Sequence, residues 1–133
     1  MSEAIQRSLS RWHAMIAAAN LDDLPSMLAP EVVFRSPFAY RPYVGPEKVA
    51  ALLGTVVTVL REFAYQRQFV ADDSVALEFG AKVGDLSLKG IDLIRFDEQG
   101  RIVDFEVMIR PANALHALGQ EMGQRLAAQG ITP

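Results

Sequence analysis

The chain has 133 residues, the length of one compact domain, and half of them are hydrophobic, which is enough to build a core. It contains no cysteine, so disulfides, thiolate metal sites and cysteine nucleophiles are excluded. A formal net charge of -3 does not indicate the basic face that nucleic-acid-binding proteins carry.

No apolar run approaches the roughly 18 residues that a membrane span requires. The first residues do not place a basic segment before an apolar block, so no signal peptide is evident. We therefore expect a single domain over residues 1–133 in the cytoplasm, with neither a membrane nor a nucleic acid as its partner.

The N-terminal part of the chain predicts two helices followed by a strand. Residues 3–19 have the spacing of an amphipathic helix. Its apolar stripe comprises Ile5, Leu9, Trp12, Met15 and Ile16. Residues 22–28 predict a short second helix. Residues 31–37 then alternate as a strand, with Phe34 and Ser36 on one face.

The middle of the chain predicts a loop and a second long helix. The loop covers residues 38–44 and is rich in aromatic side chains. Gly45-Pro46-Glu47 predicts the start of the helix, because proline suits a first turn and an acid suits the positive helix end. The apolar stripe of this helix comprises Val49, Leu52, Leu53, Val56, Val57 and Leu60.

The remainder of the chain predicts mostly sheet. Four alternating strands are separated by short turns, and they cover residues 62–71, 74–83, 86–96 and 101–110. Short turns between consecutive strands indicate antiparallel pairing. In the first of these strands, Phe63, Tyr65 and Arg67 are expected on one face. Pro111 ends the last strand and begins a C-terminal helix.

Several local strings carry a resemblance to known proteins. They include Trp12-His13-Ala14, the segment from Leu28 to Pro37, and Gly45-Pro46. The most specific is Gly90-Ile91-Asp92-Leu93-Ile94-Arg95-Phe96-Asp97, followed by Gly100-Arg101-Ile102-Val103. Together with the order of the elements, these strings resemble the nuclear transport factor 2-like superfamily, in its SnoaL-like branch.

The resemblance implies an α+β, cystatin-like fold, in which a cone-shaped, curved and mostly antiparallel sheet wraps around the N-terminal helices. A C-terminal helix completes it, and the open end of the cone forms an apolar pocket. Members of the superfamily include ketosteroid isomerase, scytalone dehydratase, limonene-epoxide hydrolase and polyketide cyclases, and others simply bind ligands or proteins. The fold by itself therefore does not determine the activity.

The ketosteroid isomerase pattern is matched at one position of three. Such enzymes combine a carboxylate base on the first strand with an oxyanion hole, formed by a tyrosine of the first helix and a protonated aspartic acid. In this sequence the base falls on Ser36, the tyrosine on Trp12 and the acid on Asp92. A serine cannot remove a carbon-bound proton without a base of its own, which argues against that mechanism here.

Two other patterns of the superfamily are also incomplete. The epoxide hydrolase pattern needs an arginine where this chain has Gly90. The scytalone dehydratase pattern needs paired histidines, whereas His13 and His116 lie on helices at opposite ends of the chain. No spacing of ligands indicates a metal site, and we expect no cofactor.

Asp92 is the candidate catalytic residue. It lies in an apolar strand, where burial would raise its pKa and allow the neutral acid to donate a hydrogen bond or a proton. Alternatively, an internal partner such as the Trp12 N–H or Arg67 holds Asp92 in a purely structural role. The residues expected to line the pocket and bind substrate are Trp12, Phe34, Ser36, Tyr40, Tyr65, Phe79, Phe105, Val107 and Ile109.

Strand alternation leaves apolar residues on the outer face of the sheet. If Phe105, Val107 and Ile109 line the cone, the outer residues are Ile91, Leu93, Met108 and Arg110. Such a face needs cover, and family members commonly dimerise sheet to sheet, so we expect a homodimer with Arg110 in an interfacial ion pair.

Two functions remain open from the sequence. One is an isomerase, dehydratase or cyclase acting on an apolar carbonyl compound, with Asp92 as acid or hydrogen-bond donor. The other is a non-catalytic dimeric module that binds a ligand or a protein.

Overall fold

The computed structural model describes residues 1–131, which form three α-helices, a short 3-10 helix and six strands. The α-helices are α1 (Glu3–Ala17), α2 (Pro46–Val59) and α3 (Ala112–Ala128), and the 3-10 helix spans Leu24–Met27. The strands are β1 (Leu28–Arg35), β2 (Tyr43–Val44), β3 (Arg61–Ala71), β4 (Ser74–Val83), β5 (Leu86–Phe96) and β6 (Ile102–Arg110). Within residues 1–131, every helix falls short of the length and hydropathy that a membrane crossing needs.

The six strands form one sheet in the order β2-β1-β6-β5-β4-β3. Strands β3 to β6 pair antiparallel with their chain neighbours, as their short turns predict. Strand β1 pairs antiparallel with β2 and parallel with β6. The helices pack on one face, so the predicted α+β fold with a curved, mostly antiparallel sheet and a C-terminal helix is confirmed.

Strict alternation along β4 and β5 separates an inner from an outer face. On β4 the inner side chains include Leu77 and Phe79, both buried, whereas Ala76 lies outside. On β5 the inner set includes Asp92, and Ile91 lies outside with 38% of its surface exposed. The period of two residues thus places Asp92 among the apolar side chains that meet the helices.

Two register shifts interrupt the pairing of β3 with β4, one between Arg61 and Ala64 and one between Tyr65 and Arg67. Shifts of this kind bend a strand and increase its twist. The second one keeps Tyr65 on the inner face and turns Arg67 outward, where Arg67 pairs with Glu78 at 2.6 Å. The expectation that Tyr65 and Arg67 share a face is wrong, because an inserted residue reverses the alternation beyond it.

The first strand begins earlier than the sequence predicts. Residues 24–27 form a 3-10 helix, and Leu28, expected in that helix, already belongs to β1. Leu28 pairs with Ile102 of β6, so tertiary pairing overrides the local helical pattern. The strand also ends at Arg35, which places Ser36 just beyond the sheet.

Gly90 gives an aromatic ring its place on the inner face. Phe79 of β4 is paired with Gly90, and a Cβ added there would overlap Phe79 Cζ and lie 2.8 Å from Cε2. The ring of Phe79 stacks on Phe63 with 4.8 Å between ring centroids. The missing side chain at Gly90 therefore lets Phe79 lie across β5, where it forms part of the cavity wall.

We predict that Gly90→Ala lowers the free energy of unfolding by about 1–3 kcal/mol, because the methyl group collides with Phe79. Gly54→Ala in α2 is the matched control, since an added Cβ there meets nothing within 4 Å. That change should stabilise the protein by about 0.5–1 kcal/mol through helix propensity. Urea denaturation of both variants measures the effect, and equal stabilities would contradict the proposed packing.

Candidate functional site

A cavity of about 450 Å³ lies between the inner face of the sheet and the helices. Eight of the residues expected at a substrate site lie in its wall: Trp12, Phe34, Ser36, Tyr65, Phe79, Phe105, Val107 and Ile109. Asp92 also lies in this wall. Most of the wall is apolar, which suits a ligand that is itself largely hydrophobic.

The structure places Tyr40 away from the cavity. Its side chain is fully exposed and does not belong to the wall, because the loop turns it toward solvent. The neighbouring aromatic residues Phe38 and Tyr43 lie in the wall instead. Tyr40 is therefore not placed to contact a ligand in this cavity.

Helices α2 and α3 contribute more of the wall than the sequence indicated. Leu52, Leu53 and Val56 of α2 face the cavity, and their apolar stripe was the available signal. Gly119 and Met122 of α3 also face it. The sequence could not assign this role to α3, since its position over the sheet depends on long-range packing.

Three polar side chains form a hydrogen-bonded chain at the inner side of the cavity. The Trp12 Nε1–H donates to the Tyr65 hydroxyl oxygen at 2.9 Å. The Tyr65 hydroxyl donates in turn to Asp92 Oδ2 at 2.5 Å. The three residues come from α1, β3 and β5, so the tertiary fold assembles the chain.

Burial controls the protonation of this group. Asp92 is 5% exposed, and burial raises its pKa from 3.8 to about 7, although the hydrogen bond from Tyr65 acts in the opposite direction. Burial and the neighbouring Asp92 charge raise the pKa of Tyr65 well above its ordinary value, so the phenol stays protonated. With a pKa of about 7, Asp92 is partly protonated at neutral pH, and a small change in pH alters its charge.

The hydrogen-bond partner of Asp92 is neither of the two that we expected from the sequence. Arg67 is bound on the outer face by Glu78, and Trp12 reaches Asp92 only through Tyr65. Strand β4 lies between β3 and β5, so Tyr65 and Asp92 stand on strands about 10 Å apart. A tyrosine is long enough to span this gap, and its place on the inner face was the signal for the contact.

Ser36 is engaged in a local turn. Its hydroxyl oxygen accepts hydrogen bonds from the backbone N–H groups of Phe38 and Ala39, both at 3.3 Å. Within residues 1–131, the hydrogen bonds of the Ser36 hydroxyl go to backbone groups and not to a side chain that could act as a base. The second carboxylate in the cavity wall is Glu62, whose side chain is 65% exposed and lies 3.3 Å from Lys82 Nζ.

The two histidines do not enter the wall of the cavity. His13 Nε2 lies 2.8 Å from Gln68 Oε1, and its ring packs edge-to-face with that of Tyr65, with 5.3 Å between the ring centroids. His116 is exposed on α3. Residues 1–131 contain no group of three His, Asp or Glu side chains that could hold a metal ion.

We predict that Asp92→Asn changes how stability depends on pH. Between about pH 4 and pH 7 the folded protein holds a proton on Asp92 that the unfolded chain has released, so the free energy of unfolding of the wild type falls as pH rises. Asparagine does not titrate, so the variant does not lose stability in this way. Relative to the wild type, its free energy of unfolding should rise by up to about 4 kcal/mol between pH 4 and pH 8.

Chemical denaturation at several pH values measures this difference. Asp72→Asn, in the exposed turn between β3 and β4, is the control and should follow the wild-type curve. A constant difference between Asp92→Asn and the wild type at every pH would show that Asp92 does not titrate in the neutral range.

Comparison with solved structures identifies close relatives. A steroid delta-isomerase from Pseudomonas aeruginosa is 52% identical over 97% of this chain and 96% of its own, with a TM-score of 0.95. An uncharacterised bacterial protein with a cystatin-like fold from Silicibacter pomeroyi is 35% identical over 96% of this chain and 91% of its own, with a TM-score of 0.90.

More distant structures share the fold alone. A putative SnoaL-like polyketide cyclase from Jannaschia sp. is 11% identical over 89% of this chain and 95% of its own, with a TM-score of 0.72. A comparison with curated proteins finds no match to this chain. The model of the SnoaL-like domain matches residues 9–105, so the chain belongs to the SnoaL-like family and has a ketosteroid isomerase-like fold.

Proposed function

We propose that this protein binds an apolar carbonyl compound in its cavity and promotes a reaction that develops negative charge on the carbonyl oxygen. Asp92 is the acid that carries the proposal, because it is the buried carboxyl group of an otherwise largely apolar wall. In its protonated form Asp92 donates a hydrogen bond to the ligand oxygen. A preorganised donor at such a position stabilises an enolate or alkoxide more than the starting ketone.

The reaction class follows from the hydrogen-bond donor that Asp92 provides in the cavity. Isomerisation, dehydration and cyclisation of carbonyl compounds all pass through states in which charge grows on oxygen. The similar protein from Pseudomonas aeruginosa is named a steroid delta-isomerase, which supports a rigid, polycyclic ketone as substrate class. The residues proposed to contact it are Trp12, Phe34, Ser36, Tyr65, Phe79, Phe105, Val107 and Ile109.

A non-catalytic role is the second candidate, and the turn at Ser36 favours it. The resemblance to the ketosteroid isomerase pattern matches Ser36 to the base of that pattern, and the Ser36 oxygen already accepts two backbone hydrogen bonds. Catalysis of proton transfer then needs another acceptor, and Glu62 is the other carboxylate in the wall within residues 1–131. Without such an acceptor the cavity would bind a carbonyl ligand and leave it unchanged.

We predict a preference for 2-acetylnaphthalene over 2-ethylnaphthalene, two probes of similar shape that differ in the carbonyl group. At pH 6 the ketone should bind about 3- to 10-fold more tightly, the value of one hydrogen bond. The preference should disappear above pH 8, because ionised Asp92 has no proton to donate. Fluorescence titration of the probes measures both affinities.

Two variants separate the hydrogen bond from simple burial. Asp92→Asn keeps an N–H donor, so it should retain some preference for the ketone and lose the dependence on pH. Asp92→Leu has no donor and should bind both probes alike. A ketone preference that survives in Asp92→Leu would refute the role given to Asp92.

Turnover distinguishes the two candidate functions. With a ketosteroid whose double bond is not conjugated to the carbonyl, the wild type should produce the conjugated enone. Loss of the donor in Asp92→Leu should lower kcat by roughly 100- to 1,000-fold. Glu62→Gln tests the remaining carboxylate in the same assay. Carbonyl-dependent binding without any product, across ketones of this size, would favour the non-catalytic module.

We also propose that the protein is a homodimer formed through the outer face of the sheet. Ile91 and Met108 are paired across β5 and β6 and are 38% and 51% exposed on this face, and Leu93 follows on the same face of β5 in a half-buried position. Glu106 and Arg110 add both signs of charge to the same face. A surface with apolar residues and both charges can pair with a copy of itself about a two-fold axis.

Sedimentation equilibrium should therefore show a dimer at micromolar concentration. Ile91→Lys puts a charge into the proposed interface and should weaken dimerisation by at least tenfold. Leu86→Lys is the control, since Leu86 is 37% exposed next to the β4–β5 turn and, by its position along β5, does not belong to the outer face. A wild type that stays monomeric at all concentrations would rule out this proposal.

A further inference from the structure

We propose that Trp12 is a positioning residue that acts through Tyr65 to keep the proton of Asp92 on Oδ1, the oxygen that faces the cavity. The inference deepens the function proposed above and rests on it for the meeting of Asp92 with a carbonyl ligand. It gives Trp12 a role beyond packing, although the residue itself makes no hydrogen bond to Asp92.

The direction of the first hydrogen bond follows from the chemistry of tryptophan. An indole N–H can donate and cannot accept, so the 2.9 Å contact makes the Tyr65 oxygen an acceptor. A phenol has one proton, and that proton remains available for a second contact. It therefore points to Asp92 Oδ2, 2.5 Å away.

In neutral Asp92, the contact with Tyr65 also fixes which oxygen carries the acidic proton. Because Oδ2 accepts the proton of Tyr65, the acidic proton of the carboxyl group belongs on Oδ1. Tyr65 supplies the one side-chain hydrogen bond that Asp92 receives within residues 1–131. Within residues 1–131, every side-chain oxygen that is fully buried has a hydrogen-bond partner. Oδ1 receives no side-chain hydrogen bond from this part of the chain, so it is accessible from the cavity that Asp92 lines.

The surroundings of Asp92 leave the hydrogen-bonded chain as its main polar influence. The inner side chains of the flanking strands are apolar, with Leu77 and Phe79 on β4 and Val107 on β6. Helix α3 faces the cavity with Leu118 and Met122. Within residues 1–131, the other charged side chain in the wall is that of Glu62, which is exposed and paired with Lys82. The His13 ring packs edge-to-face with that of Tyr65.

A carbonyl ligand would therefore meet a donor whose direction is set before binding. Without the Trp12 N–H, the Tyr65 hydroxyl could rotate or accept a proton from Asp92, and the acidic proton would be shared between Oδ1 and Oδ2. Trp12 also polarises the Tyr65 hydroxyl, since a donor that itself accepts a hydrogen bond becomes a stronger donor. Both effects depend on the N–H group and not on the volume of the ring.

The test is an NMR titration of the Asp92 carboxyl carbon in the ligand-free, full-length protein. In Tyr65→Phe the ionised form loses its hydrogen bond, so the pKa of Asp92 should rise by about one pH unit or more. In Trp12→Phe the hydrogen bond remains but weakens, so the pKa should rise by less. The Tyr65 hydroxyl proton should resonate far downfield in the wild type and move upfield in Trp12→Phe.

Phe34→Leu is the matched control. Phe34 packs in the same aromatic wall, with 5.9 Å between its ring centroid and that of Phe105, and it makes no side-chain hydrogen bond. The Asp92 pKa should stay near the wild-type value in this variant. A shift as large as that of Trp12→Phe would assign the effect to packing and overturn the proposal, as would an unchanged pKa in Trp12→Phe.

The probe pair of the preceding experiment separates this inference from the proposed function. Trp12→Phe should lower the preference for 2-acetylnaphthalene over 2-ethylnaphthalene several-fold at pH 6. If the order of pKa values holds but the wild type shows no preference for the ketone, the proposed function fails and the placement of the proton stands. If the wild type prefers the ketone and Trp12→Phe retains both its pKa and its full preference, the positioning role fails alone.

Discussion

The burial of one carboxyl group is the constraint on which the site depends. Asp92 lies on the inner face of a central strand, where apolar side chains surround it, and its charge is costly there. The hydrogen bond from Tyr65 offsets part of that cost without removing it, so the pKa stays near neutrality. Had a cation such as Arg67 reached the inner face, the group would be a fixed anion and could not donate a hydrogen bond.

The register of β3 keeps the guanidinium of Arg67 away from Asp92. The register shift after Tyr65 turns Arg67 to the outer face, where it forms a paired hydrogen bond with Glu78 at 2.7 and 2.6 Å. One inserted residue in β3 thus bends the strand and also places Tyr65 and Arg67 on opposite faces of the sheet. The phenol is left inside with the carboxyl group, and the guanidinium is left outside with a carboxylate.

Ser36 and Asp92, which the sequence comparison matched to the base and the acid of the ketosteroid isomerase pattern, lie in different surroundings. Ser36 closes a turn with two backbone N–H groups, which makes it part of the loop structure. Asp92 lies on the inner face of β5 and is joined to Trp12 through Tyr65. In the proposed function Asp92 recognises the carbonyl oxygen, and removal of a proton from carbon requires a base other than Ser36.

Residue spacing predicted most of the elements and the α+β class, and it set Asp92 on the opposite face of β5 from Ile91 and Leu93, because helical and strand periods are local properties. It did not determine that Leu28 begins a strand, that Arg67 leaves the inner face or that Tyr65 meets Asp92. Each of these depends on a partner distant in the chain: Ile102 for Leu28, Glu78 for Arg67, and a contact across β4 for Tyr65. Pairing register and bulges decide such contacts, and no spacing within a single segment encodes them.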